Sequence, residues 1–301
     1  MRIVIAGGTG FLGAPLASRL AADGHDVVVL SRGKGASAPG IRTTPWTPDG
    51  HVGAWASEVD GAGAVINLAG EPIAARRWST EQKQRILDSR VSATRSLVDA
   101  IQHASAPPPV FISGSAVGYY GPLGDDVVTE KTPAGSDFLA GVAARWEAEA
   151  ARAASATTRV VCVRTGIALG KDGGALPQML PPFRFGVGGP VGSGRQYWPW
   201  IHRDDWVNMV AWALATPAVS GPINATAPTP VTNRDFAHAI GRALHRPAFM
   251  PAPAFALRLL LGEMADALLL SGQRAVPARA EELGFTFRYR TADDALQAIL
   301  R

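Results

Sequence analysis

Cysteine is almost absent: Cys162 is the only one among 301 residues, so no disulfide can close within the chain. It sits in the apolar run Val160-Val161-Cys162-Val163 and is expected as a small buried hydrophobe on a central strand. An excess of charge of one sign is also lacking. The 29 Lys and Arg nearly balance the 25 Asp and Glu, leaving a net charge of +4, and Arg76-Arg77 is the one adjacent basic pair. No cationic stripe can follow a phosphate backbone, so nucleic acid is not expected as a partner despite a pI near 9.6. Long hydrophobic runs are missing too. The longest, Phe255 to Leu270, is broken by Arg258, Glu263 and Asp266, which argues against a membrane span. The apolar run after Arg2 is too short for a signal peptide, and a cytoplasmic location is expected. No cluster of His, Cys and carboxylates has ligand spacing, so no metal is expected.

What is present is enough apolar residue, 47% of the chain, to bury a large α/β core. Ile3-Val4-Ile5-Ala6 reads as a buried strand, Leu12 to Ala22 as a helix and Val27-Val28-Val29-Leu30 as a second buried strand. Further strands are predicted at Ala64 to Leu68, Val110 to Ser113 and Arg159 to Arg164. Between them Leu87, Val91, Thr94, Val98 and Ile101 recur at helical spacing and place one stripe against a sheet. Continuously apolar strands alternating with helices imply a parallel sheet covered on both faces. Gly173 to Trp200 is too rich in Gly and Pro for a long regular element and reads as a substrate-side loop or lid. Ile223-Asn224-Ala225 is expected to return to the sheet, followed by a helix from Thr232 to Leu244 capped by Thr232 or Asn233.

Gly7-Gly8-Thr9-Gly10-Phe11-Leu12-Gly13 follows the first strand and opens the first helix, the setting of a dinucleotide-binding loop. Gly7 permits the turn, Gly10 lets amides approach a pyrophosphate, and Gly13 lets helix and strand pack closely. The phosphate would sit at a helix N-terminus, where unpaired amides and the helix dipole favour negative charge. At the end of the second strand, where an acid would bind the ribose hydroxyls of NAD, stand Ser31-Arg32 and then Gly33-Lys34. A guanidinium there suits a 2′-phosphate, so NADP(H) is the expected cofactor.

These landmarks, with Asn67-Leu68-Ala69-Gly70, Ser113-Gly114-Ser115, Tyr119-Tyr120-Gly121, the run Arg164 to Gly170 and Ile201 to Asp205, resemble the extended short-chain dehydrogenases. More narrowly, Gly70-Glu71-Pro72-Ile73, Arg76-Arg77-Trp78, Trp146-Glu147 and the Phe249 to Phe287 tail resemble the atypical "epimerase family" subgroup with a short C-terminal domain of unknown function. The resemblance implies a Rossmann-like, doubly wound, mostly parallel sheet over residues 1–246, with a substrate-side insertion at about 171–200. A small helical lobe over 247–301 would close the substrate side, burying the apolar stripe Phe255, Leu259 and Leu260 against the main domain. It also implies cofactor contacts from Gly7, Gly10, Phe11, Leu12, Gly13, Ser31, Arg32, Leu68, Ala69, Gly70 and Ser113.

The family's proton-transfer pair departs from its pattern. Taking Glu147 as the acid that follows on the same helix, the Tyr position falls at Leu139 and the Lys position at Ala143, neither able to move a proton. Ser115 matches the substrate-orienting Ser, and Tyr119 and Tyr120 are the candidate substitute acids. Glu71, Arg76 and Trp78 lie after the fourth strand and are the candidate contacts to a small polar substrate. Trp146, Glu147, His202 and Asp205 are expected to pack and orient rather than react. Two readings stay open: a redox or epimerising enzyme with a substitute acid, and a binder of NADP(H) that does not turn it over. A hydrolase is disfavoured, because Ser115 lacks the Gly-x-Ser-x-Gly elbow.

Overall fold

Residues 3–6 are apolar at every position rather than at alternate ones, and a computed structural model, describing residues 1–33 and 39–301, gives the reason. In β1 (Arg2–Ala6), Ile3 and Ile5 enter one hydrophobic cluster while Val4 and Ala6 enter another on the opposite face. The chain continues through α1 (Gly13–Ala22), β2 (Asp26–Ser31), β3 (Ile41–Pro45), β4 (Ala64–Asn67), α2 (Thr80–His103), β5 (Val110–Ala116), β6 (Gly124–Val128), α3 (Phe138–Ala151) and β7 (Arg159–Thr165). Next come β8 (Ile167–Leu169), α4 (Leu176–Arg184), β9 (Tyr197–Trp198), β10 (Trp200–His202), α5 (Arg203–Ala215), β11 (Gly221–Ala225), β12 (Val231–Thr232) and α6 (Asn233–Leu244). The chain ends with α7 (Ala254–Leu261), α8 (Glu263–Ala265), β13 (Gln273–Ala275), α9 (Ala278–Glu282) and α10 (Ala292–Leu300).

Seven strands form one sheet in the order β11-β7-β5-β4-β1-β2-β3, with every neighbouring pair parallel. The fold is therefore Rossmann-like, as its pattern of strands and helices predicts. Leu16 and Leu20 of α1 and Trp206 and Val210 of α5 cover one face. Leu97, Val98 and Ile101 of α2 and Ala150 of α3 cover the other. Strand order reverses between β1 and β4, so the loops leaving those two strands part and open a crevice at the carboxyl edge of the sheet.

Several elements differ from their sequence expectations. β3 carries no apolar run and was not anticipated; its Ile41 to Pro45 segment is drawn out along the edge by ladder pairing to β2. Leu87 and Val91 are only half-buried, while Ile86, Ala93 and Leu97 are buried, because α2 packs on α3 as well as on the sheet. Within the expected loop at 173–200, Leu176, Leu180 and Phe183 bury one stripe of α4. Pro177 is tolerated in the first turn, where no N–H partner is needed, but Pro181 and Pro182 hid the helix from a reading based on breakers. Cys162 is buried as expected, though on β7, next to the edge strand rather than at the centre.

The C-terminal lobe is not purely helical, since β13 pairs in parallel with β6. Nor does it dock through its predicted stripe. Phe255, Leu259 and Leu260 are 74%, 79% and 71% exposed, whereas Phe285 and Phe287 enter the core beside the sheet and α10 packs on α6.

Candidate functional site

The glycine loop is shaped by close approach. Gly7 has φ +78°, and a Cβ there would stand 2.7 Å from the Leu68 carbonyl carbon; at Gly13 it would stand 2.2 Å from the Gly7 oxygen. Gly10 is exposed, its nearest such neighbour 3.4 Å away, so the loop is bare where a phosphate would approach the first turn of α1. That turn holds no acidic residue. Half-buried Leu12 packs on the sheet core. The Phe11 ring turns away toward the second half of the chain: a Cβ at Gly170, Gly173 or Gly174 would lie within 2.8 Å of it, and the Arg203 guanidinium is 5.2 Å from its centre.

Arg32 is exposed at the end of β2 and, among the described residues, forms no ion pair or hydrogen bond; Ser31 Oγ accepts from the Gly33 amide at 3.3 Å. Lys34 lies outside the described residues. Across the crevice, Asn67 shapes the loop after β4: its Oδ1 accepts from the Ala69 amide at 3.1 Å while its Nδ2 donates to Thr94 Oγ1 at 2.9 Å. Leu68 and Ala69 are half-buried beside Gly7, and Gly70 lies exposed against the side chain of Arg90. The Ser113 side chain is a correction: it is fully buried, with Oγ donating to the Gly114 carbonyl, and does not line the crevice.

Ser115, Arg164 and Asn224 stand directly opposite one another on β5, β7 and β11. Parallel register points all three to the same face of the sheet, where Glu147 of α3 meets Ser115 and Arg164 and Tyr120 meets Arg164 and Asn224. Arg164 binds both Glu147 oxygens, through Nε and Nη2, each at 2.8 Å. Ser115 Oγ donates to Glu147 Oε1 at 2.6 Å, and Arg164 Nη1 donates to the Tyr120 hydroxyl at 2.9 Å. That hydroxyl donates onward to Asn224 Oδ1 at 2.7 Å. Burial pushes the Tyr120 phenol up to about 12, with Arg164 and Asn224 only partly opposing it. Tyr120 is therefore a correction as a candidate acid, because a sealed phenol with both partners inside the protein cannot reach a ligand.

Tyr119 is half-buried, its ring 3.5 Å from the Arg164 guanidinium and its hydroxyl without a partner among the described residues. Leu139, at the family's Tyr position, lies against Gly118, and Ala143 is buried. The Arg164 network was not foreseen. Its one sequence signal was a charged residue ending an apolar strand, Arg164 after Val160 to Val163.

The loop after β4 gives mixed roles. The Glu71 amide donates to Ser89 Oγ and its carbonyl accepts from Arg90. Trp78 closes the loop by donating from Nε1 to the Ile73 carbonyl at 2.8 Å, with its ring edge-on to Phe138. Arg76 is exposed and makes no described contact. His202 caps α5, its Nδ1 accepting from the Asp204 amide, and stacks on Tyr289 at 3.9 Å. Asp205 accepts from the Arg288 and Tyr289 amides, so both residues fasten the C-terminal segment to the sheet. Trp146 covers Gly114. Among the described residues no group of His, Cys, Asp and Glu is placed to hold a metal.

The chain matches the NAD dependent epimerase/dehydratase family over residues 3–225 and a domain of unknown function, DUF1731, over residues 252–299. An Arabidopsis thaliana chloroplastic homolog of epimerase family protein SDR39U1 is 44% identical over 305 residues, covering 100% of this chain and 87% of that protein. The Bacillus subtilis epimerase family protein YfhF is 39% identical over 310 residues, covering 100% of this chain and 98% of that protein. The crystal structure of human epimerase family protein SDR39U1 (isoform2) with NADPH superposes with a TM-score of 0.90 at 37% identity, covering 100% of this chain and 99% of that one. A bare glycine cradle at the switch point, an Asn-shaped loop opposite and a match spanning both halves all agree: the chain belongs to the NAD-dependent epimerase/dehydratase family, in the subgroup that carries the short C-terminal domain.

Proposed function

We propose that the chain binds NADP(H) and acts as an oxidoreductase or epimerase on a small polar substrate. The carrying observation is the exposed cradle at Gly7 to Gly13, which needs its glycines where backbone meets backbone and leaves Gly10 bare for a phosphate. Arg32 at the end of β2 supplies a cation for a 2′-phosphate where NAD would call for a carboxylate. The NADPH of the human relative supports the same choice. When bound, the cofactor supplies or accepts a hydride.

The chain's own residues would do the rest. Ser115 spends its proton on Glu147, which leaves its lone pairs to accept from a substrate hydroxyl and orient it. Tyr119 is the phenol whose hydroxyl is uncommitted, and it serves as proton donor in this reading. Glu71 and Arg76 flank the substrate from the loop after β4. The reading includes no nucleic acid or membrane partner and a cytoplasmic location; among the described residues, no helix is long and apolar enough to cross a membrane.

A second reading, binding without turnover, is favoured by Leu139 and Ala143, which put alkyl groups where the family's proton-transfer pair stands. Titration of NADPH and NADH against the parent protein and Arg32→Ala tests the cofactor choice. NADPH should bind more tightly, by a margin of about 1.5 to 3 kcal/mol that the substitution removes. Equal affinities in the parent would overturn it. NADPH oxidation with a panel of ketones and sugar nucleotides, lost in Ser115→Ala with NADPH affinity kept, separates turnover from binding alone.

A further inference from the structure

Two arginines lie behind the carboxyl edge of the sheet, and they are provided for differently. Arg164 is saturated by Glu147 and Tyr120. Arg90, in the middle of α2, has no carboxylate within ion-pair distance among the described residues. Its Nη1 donates to the carbonyls of Glu71 at 3.1 Å and Ile86 at 2.9 Å, which fixes the guanidinium. Its Nε and Nη2 have no described partner, yet neither is among the polar atoms sealed from solvent. These nitrogens share one edge of the guanidinium, whose two parallel N–H bonds match the two oxygens of a carboxylate.

The guanidinium is held between the loop after β4 and the Trp146 ring of α3. A Cβ on Gly70 would stand 3.2 Å from Arg90 Cζ, so the loop after β4 passes tightly over the guanidinium. Trp146 stands on the other side, 5.2 Å from Arg90 Cζ, with its ring on Gly114, the neighbour of Ser115. Burial lowers the Arg90 guanidinium to about 10, and the charge of Glu71 only partly offsets this. A cation held at such a cost, with Glu71 outside ion-pair distance and no described partner on its Nε–Nη2 edge, calls for an anion from outside the chain.

We propose that the Nε–Nη2 edge of Arg90 is an anion subsite for the carboxylate of a small substrate. The pyrophosphate and the 2′-phosphate of the cofactor are provided for at the first turn of α1, which follows β1, and at Arg32 after β2. The anion at Arg90 instead lies beside β5 and Ser115. A guanidinium edge takes a carboxylate or a phosphate in the same bidentate way, and with the cofactor's phosphates provided for elsewhere the carboxylate is the anion left to place here. The substrate class is thereby narrowed from small polar molecules to carboxylic acids. That narrowing, though not the subsite, rests on the NADP(H) reading.

Calorimetric titration of oxalate into NADPH-saturated protein tests it, with the phosphate loop already filled. The expected result is binding that weakens at least about tenfold in Arg90→Gln and less in Arg90→Lys. NADPH affinity should stay within about twofold in both variants, which also reports that they fold. No oxalate binding by the parent, or affinity unchanged in Arg90→Gln, overturns the subsite. Inorganic phosphate binding at Arg90 more tightly than oxalate overturns the carboxylate assignment, and loss of NADPH affinity in a folded Arg90→Gln gives the guanidinium to the cofactor instead. If the parent fails to bind NADPH, the cofactor reading falls, and oxalate titrated into the protein alone still decides the subsite.

Discussion

Replacing Tyr120 by Phe, beside Tyr119→Phe, asks whether these adjacent phenols do the different jobs that their surroundings assign. Tyr120 is 1% exposed, and its hydroxyl joins Arg164 Nη1 at 2.9 Å to Asn224 Oδ1 at 2.7 Å. Removing it leaves an amide oxygen and one guanidinium N–H buried without that partner. Each such loss costs about 1 to 3 kcal/mol, and Arg164 keeps a second acceptor for Nη1 in the Glu130 carbonyl at 3.3 Å, so the sum should fall near the lower half, about 2 to 4 kcal/mol. For a chain of this size that lowers Tm by about 3 to 6 °C. Tyr119→Phe keeps the ring against the guanidinium and removes a hydroxyl with no described partner, so Tm should move by less than about 2 °C. Differential scanning calorimetry of both variants, with and without NADPH, reads the stabilities, and NADPH oxidation reads turnover. Tyr120→Phe as stable as the parent, yet without turnover, would refute the reasoning.

Three further outcomes are expected. His202 must be neutral to accept from the Asp204 amide; burial lowers its pKa, reinforced by Arg203 and Arg288 and opposed by Asp204. The folded value then lies below an unfolded value of about 6.5, so stability should hold above that pH and fall as the pH drops below it. Asp205, raised by burial, acts in the opposite sense as the pH rises above about 4, so urea midpoints are read in Asp205→Asn, and a midpoint flat between about pH 5 and 7 in that variant would contradict the burial argument. Leu259→Ser on exposed α7 should change stability by no more than about 0.5 kcal/mol, whereas Phe285→Ala should cost about 3 to 5 kcal/mol; equal losses in urea unfolding would mean α7 is covered. Burial pushes the Cys162 thiol up to about 12, so a thiol reagent at pH 8 should label it only in urea, and labelling of the native protein would refute its burial.

Where a residue's conformation or partition was decided within a few positions of the chain, the sequence was readable. Apolar residues at every position of Ile3 to Ala6 and Val27 to Leu30 announce strands buried on both faces. Gly7 and Gly13 are spaced for a turn that admits no Cβ. Thr232 caps its helix as its side chain and position predict. β3 was illegible because pairing with β2, not its own Ile-Arg-Thr-Thr-Pro pattern, makes it a strand. The stripe on α7 misled because spacing shows that one face of a helix is apolar and not what lies opposite it.

The sequence by itself thus determined the parallel sheet, the glycine cradle and the basic residue beside it, since local backbone demands and continuous burial leave few alternatives. Only the tertiary structure could separate Tyr119 from Tyr120, which are neighbours of the same type. The difference lies in Arg164 and Asn224, brought from β7 and β11 to one row of the sheet, where they seal one phenol and leave the other. Arg90 likewise reads as one more cation on a long helix until the loop at Gly70 and the ring of Trp146 close around it, because desolvation and an unfilled donor edge are properties of a surrounding that no local pattern records.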